Sequence, residues 1–198
     1  MEVAIINYNA GNIFSVVNAV KRLGITPVLT NNAESIQHAD KVIFPGQGEA
    51  ATAMSYLVSH GLNKVIKNLK QPVLGICIGQ QLLCRHSEEG NTDCLGIFNE
   101  TVKKFTDQGH QYKIPAIGWN NIHIVNKESP LLKGIADNAF VYFVHSYYVP
   151  VCANTIATSN YATTFSAALQ KDNFFATQFH PEKSGDVGEQ ILQNFIAL

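Results

Sequence analysis

The chain is short of charge and of cysteine and has no long apolar run, and each shortage excludes something. Only 15% of its 198 residues are charged, 14 basic against 15 acidic, for a formal net charge of −1. The basic residues are scattered apart from short pairs such as Lys103-Lys104, so there is no electrostatic footprint for nucleic acid. No stretch reaches the roughly 20 apolar residues of a membrane span. The opening Met-Glu-Val-Ala-Ile-Ile-Asn has no basic n-region, so a cytosolic protein without a membrane partner is expected. The four cysteines, Cys77, Cys84, Cys94 and Cys152, form no Cys-x-x-Cys pair, which argues against a zinc site or a disulfide framework. Neither metal nor cofactor is expected. No linker, repeat or low-complexity segment interrupts the sequence, and 46% hydrophobic content suits residues 1–198 folding as a single domain.

What is present is an alternation. Glu2 to Tyr8 reads as a buried strand, and a helix opening at Gly11-Asn12 carries Ile13, Val16, Val17, Val20 and Leu23 at helical spacing. A strand at Pro27 to Leu29, a short helical stretch, a strand at Val42 to Phe44 and a helix from Glu49 to His60 follow. This β-α-β-α-β-α order implies an α/β fold with a mostly parallel central sheet flanked by helices, whose function gathers at the C-terminal strand ends. After Gly90 the segments 95–98, 101–105, 121–125, 140–145, 155–159, 166–170 and 174–179 read as strands separated by turns. They predict antiparallel additions to the same sheet, closed by a helix carrying Val187, Ile191, Leu192, Phe195 and Ile196.

Pro72-Val73-Leu74-Gly75-Ile76-Cys77-Ile78-Gly79-Gln80-Gln81-Leu82-Leu83 stands out within this pattern. Gly-x-Cys-x-Gly is the thiol form of a nucleophile elbow, a tight strand-to-helix turn flanked by small residues. A thiol at a helix N-terminus is favoured as thiolate, below its ordinary pKa of about 8.5. A buried structural cysteine beside two turn glycines is the competing account. Gly46-x-Gly48-x-x-Ala51 matches a dinucleotide fingerprint, but it follows the third strand, and no acidic residue ends the next strand to hold a ribose. Such a loop also suits backbone amides facing an oxyanion.

A catalytic thiol needs a base, and the base needs a group that orients it. His38, His60, His86 and His110 lie in polar or helical surroundings, and His123 sits in an alternating strand. His145 ends an apolar strand and suits either a core or a site wall. His180 also ends an apolar strand and is followed by Pro181-Glu182. Residues two apart in extended chain project to one side, so Glu182 reaches the imidazole while Pro181 keeps the backbone extended. A chance His-Pro-Glu in a strand-to-helix loop, with Glu182 serving the helix N-terminus, is the alternative.

Gly75 to Gln81 together with His180-Pro181-Glu182 resembles the triad region of class I glutamine amidotransferases, whose flavodoxin-like fold is then expected. Six further segments, 9–16, 45–48, 87–90, 117–120, 142–148 and 178–184, resemble in order the glutaminase subunits of imidazole glycerol phosphate synthases. Two positions depart from that pattern: Asn7 stands where aspartate is common, and Gln47 where a small aliphatic residue is usual.

The resemblance implies hydrolysis of L-glutamine through a thioester on Cys77, with His180 as acid and base and Glu182 orienting it. It places the oxyanion at Gln47 and Ile78, and the substrate against Gly48, Gln81, Glu89, Ser146 and Tyr147. It implies a heterodimer with a cyclase subunit that is a (β/α)₈ barrel. That partner would use the ammonia to convert N′-phosphoribulosyl-formimino aminoimidazole carboxamide ribonucleotide into imidazole glycerol phosphate and aminoimidazole carboxamide ribonucleotide, in histidine biosynthesis. Asn12, Trp119, Tyr142 and Lys183 fall at the implied interface. A class I glutaminase of the pyridoxal phosphate or anthranilate type, or a non-catalytic α/β binding module, are the other readings.

Overall fold

A computed structural model describes residues 1–8, 13–46, 48–106, 109 and 111–198. The first half runs β1 (Val3–Ile6), α1 (Phe14–Arg22), β2 (Val28–Thr30), α2 (Ala33–His38), β3 (Lys41–Phe44), α3 (Ala50–Ser59), α4 (Leu62–Asn68), β4 (Val73–Ile76) and α5 (Ile78–Leu82). The second half is mostly strand: β5 (Cys84–Ser87), β6 (Thr92–Asp93), β7 (Phe98–Lys104), β8 (Ala116–Asn121) and β9 (His123–Ile124). It continues with β10 (Phe140–His145), β11 (Tyr147–Tyr148), β12 (Thr155–Tyr161), β13 (Thr163–Lys171) and β14 (Phe174–Thr177), and ends on α6 (Gly185–Ile196).

Strands β1, β3, β4 and β14 are buried at every position, which requires a sheet covered on both faces. In the eight-stranded sheet the order is β2-β1-β3-β4-β14-β13-β12-β9. The pairings from β2 through β14 are parallel, and those from β14 to β9 are antiparallel. Alternation splits each strand between two cores. Val3 and Ile5 pack on one face with Val16, Val20, Leu192 and Phe195, and Ala4 and Ile6 pack on the other with Ile36, Leu57 and Ile66. Helices α1 and α6 therefore cover one face, and α2, α3 and α4 the other.

The expected architecture stands, with local corrections. Strands β13, β12 and β9 extend the central sheet, but β10-β8 and β11-β7-β5-β6 are two separate small sheets. Segment 95–98 is loop up to Phe98, and 121–125 is preceded by a strand that begins at Ala116. Gly118 and Asn120 are poor strand formers, yet antiparallel pairing with the apolar β10 draws them into a ladder. Helix α4 has no counterpart in the sequence reading; Leu62 and Ile66 form its buried face at the i, i+4 spacing.

The element that positions the site is the junction of β4 and β14. These parallel neighbours pair Ile76 with Thr177, so the residues just beyond them emerge side by side at the C-terminal edge. Cys77 follows one strand and His180 the other. Their union is thus a consequence of strand order, because they lie 103 positions apart in sequence.

Candidate active site

Cys77 occupies a strained backbone, φ 55° and ψ −109°, between the last residue of β4 and the first of α5. Such a conformation costs on the order of 1–3 kcal/mol for a non-glycine residue and persists only where its surroundings enforce it. They do so here by close approach. A Cβ at Gly79 would run into the carbonyl oxygen of Phe44, and one at Gly75 would lie 2.8 Å from Leu83 Cδ1 and 2.9 Å from the Gly79 carbonyl carbon. Neither flanking glycine has positive φ; their bare backbones allow β3, β4 and α5 to press together. The Cys77 amide donates to the Thr177 carbonyl at 2.7 Å, tying the elbow to the strand that carries His180. Helix α5 starts at Ile78, before the second glycine, and is only five residues long before the chain turns into β5.

His180 and Glu182 are both about 2% exposed at their side chains, and His180 Nδ1 lies 2.8 Å from Glu182 Oε1. The route between them differs from expectation. His180 itself is extended, but Pro181–Lys183 is a single 3₁₀ turn with proline at its start, so Glu182 folds back to the imidazole through a turn. Burial alone would lower the histidine pKa. The negative charge of Cys77 and the Glu182 carboxylate override it and push His180 up to about 10. Among the described residues His180 Nε2 has no hydrogen-bond partner within bonding distance, leaving that N–H available to the sulfur and to a bound substrate.

Cys77 Sγ is 3.7 Å from the Val144 carbonyl oxygen and 3.8 Å from Gln178 Nε2. Gln178 is fully buried, and its amide oxygen accepts from Gln81 Nε2 at 3.0 Å, which aims its NH₂ at the sulfur. The sequence reading gave Gln178 no role. Its only signal was an amide side chain closing an otherwise apolar strand. Gln81 Nε2 also donates to the Tyr147 carbonyl at 3.0 Å. With its nitrogen so occupied, Gln81 offers a ligand its carbonyl oxygen, an acceptor.

A cleft of about 360 Å³ joins Gly48, Cys77, Ile78, Gln81, Glu89, Ser146, Tyr147, His180 and Lys183. Glu89 lies beside α3, accepting from the Ala50 amide at 2.8 Å. Burial raises its pKa against that hydrogen bond, with Glu49 adding to the rise. Among the described residues the Ile78 amide donates to no acceptor, as befits the first N–H of a helix facing a cleft. Gln47 and Asn12 lie outside the described residues. Trp119 is no core residue: it is 56% exposed, edge-on to Tyr142 with ring centroids 6.0 Å apart, on a ribbon whose Ile117 and Phe140 are also exposed.

His110 lies outside the described residues, and the other described histidines have local partners. His86 Nδ1 lies 3.0 Å from Asp93, a carboxylate seven residues away that only the β5–β6 pairing brings near, and His123 lies 3.8 Å from Asp137. His60 stacks on Tyr56. His145 is both core and site wall, buried among Phe105, Phe143 and Phe165 while lining the cleft. No helix of the described residues is long and apolar enough to cross a membrane.

A thiol on a strand-to-helix elbow, a histidine–glutamate pair on the neighbouring strand end and a free helix amide together have the parts that thiol-dependent acyl transfer on an α/β sheet needs. The profile of the glutamine amidotransferase class-I family matches residues 4–198, and the chain belongs to that family. It is 59% identical over 198 residues to the imidazole glycerol phosphate synthase subunit HisH of Bacteroides thetaiotaomicron, with all of both chains covered. It is 49% identical over 199 residues to the protein of the same name from Pectobacterium atrosepticum, again over the full length of both. In three dimensions it is similar to a putative GMP synthase protein from Thermoplasma acidophilum, at a TM-score of 0.75 and 19% identity, covering 100% of this chain and 92% of that one. That likeness concerns the fold.

Proposed function

We propose that the chain is the glutaminase subunit of an imidazole glycerol phosphate synthase, hydrolysing L-glutamine and delivering the ammonia to a cyclase subunit in histidine biosynthesis. The observation that carries the chemistry is the meeting of Cys77 with His180, itself paired with Glu182, in one cleft whose walls also offer acceptors. Glu89 and the carbonyl of Gln81 suit the α-ammonium group of an amino acid, with Gly48, Ser146 and Tyr147 completing the wall around its amino-acid end.

The thiolate of Cys77 attacks the side-chain carboxamide carbon, and the oxygen gains charge. The Ile78 amide meets that oxyanion, joined by a backbone amide at Gln47. Removing one such donor costs about 10²–10³ in rate. The His180 imidazolium gives its proton to the departing ammonia, leaving a γ-glutamyl thioester and a neutral imidazole. Neutral His180 then takes a proton from water as the hydroxide attacks the thioester, and collapse releases glutamate and restores the thiolate–imidazolium pair. Glu182 holds the imidazole in one tautomer throughout, and Gln178 steadies the sulfur between turnovers.

Ammonia released to water is mostly protonated at neutral pH and useless as a nucleophile, so the glutaminase needs a partner over its mouth. The β8–β10 ribbon supplies an apolar strip beside the cleft, where Ile117 and Phe140 are 63% and 59% exposed alongside Trp119. Trp119, Tyr142 and Lys183, with Asn12, form the proposed contact with the cyclase.

The test mixes the chain with the cyclase and its nucleotide ligand and follows glutamate release. Stimulated turnover that disappears in Cys77→Ala, while the complex still forms, is expected. Turnover that survives Cys77→Ala, or the absence of both complex and stimulation, overturns the proposal.

A further inference from the structure

Tyr8 stands just beyond β1 and is 3% exposed, and the mechanism above makes no use of it. Its ring packs on Phe44 with centroids 5.1 Å apart, and its hydroxyl donates to the Pro45 carbonyl at 2.5 Å. The next residue, Gly46, sits so close that a Cβ there would overlap both the Tyr8 hydroxyl and Ile78 Cγ2. Three segments distant in sequence, the end of β1, the loop after β3 and the start of α5, therefore meet at one phenol oxygen.

We propose that Tyr8 is a positioning residue for the oxyanion site: its hydroxyl fixes the Pro45–Gly46 peptide against the side chain of Ile78, the residue whose amide meets the oxyanion. The inference deepens the glutaminase reading and rests on it. Pro45 has no N–H, and its carbonyl receives no other hydrogen bond among the described residues, so Tyr8 is the only described anchor for that peptide's polar atoms. Gly46 lacks a side chain because the anchor and Ile78 occupy the space one would need. Burial, reinforced by the charge of Cys77, holds the phenol proton far above any working pH, so Tyr8 remains a donor throughout.

Tyr8→Phe keeps the ring and removes only the anchor. In the assembled complex with the cyclase and its ligand, kcat for glutamine is expected to fall roughly tenfold, a fraction of the loss on removing an oxyanion donor outright. KM should stay within about twofold, because glutamine's amino-acid end is held elsewhere. Iodoacetamide provides the control. It alkylates Cys77 by direct displacement of iodide and builds no oxyanion, so its rate should match wild type. A kcat loss below about threefold, a change confined to KM, or a matching loss of alkylation rate each overturns the inference. Wild-type complex that fails to turn over glutamine removes the reading of the site and this inference with it. Active wild type beside an unaffected Tyr8→Phe removes this inference alone.

Discussion

His180 and His145 line the same cleft, both are buried, both engage Nδ1 in a hydrogen bond of 2.8 Å, and both leave Nε2 without a partner. Their proton affinities nonetheless lie far apart, about 10 for His180 and about 4 for His145. Burial drives both downward. What separates them is neighbouring charge, Cys77 first and the acceptor at Nδ1 second. His145 faces the neutral carbonyl of Tyr147 amid three phenylalanine rings, and the nearby His180 charge depresses it further. His180 faces the Glu182 carboxylate and the charge of Cys77. Geometry makes each a well-held imidazole, and only the surrounding charge suits one of them to the acid–base role proposed for His180.

The most severe way to break this contrast is Glu182→Gln, which gives His180 a neutral acceptor like the one His145 has. Exchanging the buried carboxylate of a triad for its amide costs about 10⁴ in kcat, since the amide can hold the wrong tautomer. A loss of about 10³–10⁴ in glutamine turnover is expected, with the His180 imidazole titrating well below its wild-type range by NMR. A loss below about tenfold would mean that the charge of Cys77 alone sustains the base.

The second test reads the contrast as stability. An unfolded histidine titrates near 6.5, so a folded pKa of about 4 at His145 means the unfolded chain takes up that proton first as the medium is acidified. Stability is therefore lost as pH falls from about 6.5 through about 4, by about 3 kcal/mol in all. His180 has the opposite sign. With a folded pKa of about 10, its contribution is complete below about 6.5 and is lost as pH rises through about 10. The two windows adjoin, so these histidines place a stability maximum near pH 6.5. Urea unfolding of His145→Leu between pH 6.5 and 4 should show a flatter acid limb than wild type. An unchanged limb would assign acid sensitivity to other groups.

How much of this was legible in the sequence follows the same division between geometry and charge. The grouping of Cys77, His180 and Glu182 could be read because each carries a local mark: glycines bracket Cys77, and His180 and Glu182 are two residues apart. The mostly parallel sheet could be read because buried strands and amphipathic helices alternate, though the order of its strands could not. His145 could not be decided, because an imidazole at the end of an apolar strand looks alike whether it meets a carboxylate or a carbonyl. Gln178 and Tyr8 were passed over for a related reason. Their partners, the Cys77 sulfur and the Pro45 carbonyl, come from other strands and depend on register. The β8 strand was missed because Gly118 and Asn120 carry no strand propensity, and its pairing is a property of β10.

The finest test separates the backbone that holds His180 from the charge that tunes it. The His180 amide donates to the Tyr142 carbonyl at 2.9 Å, the Tyr142 amide donates to Ser184 Oγ at 3.0 Å, and the Ser184 hydroxyl donates to the His180 carbonyl at 2.6 Å. These three bonds pinch the catalytic loop onto β10, the strand that also brings the Val144 carbonyl to Cys77. Ser184→Ala opens the pinch on one side and strands the Tyr142 amide, a cost of about 1–3 kcal/mol in stability. It leaves Glu182 where it is. Turnover should fall by no more than about tenfold, as a loosened imidazole samples poorer alignments. The His180 titration should stay near its wild-type position, because neither the carboxylate nor the sulfur charge has changed. A shift as large as that of Glu182→Gln would show that the loop's backbone, and not its carboxylate, is what sets His180 apart from His145.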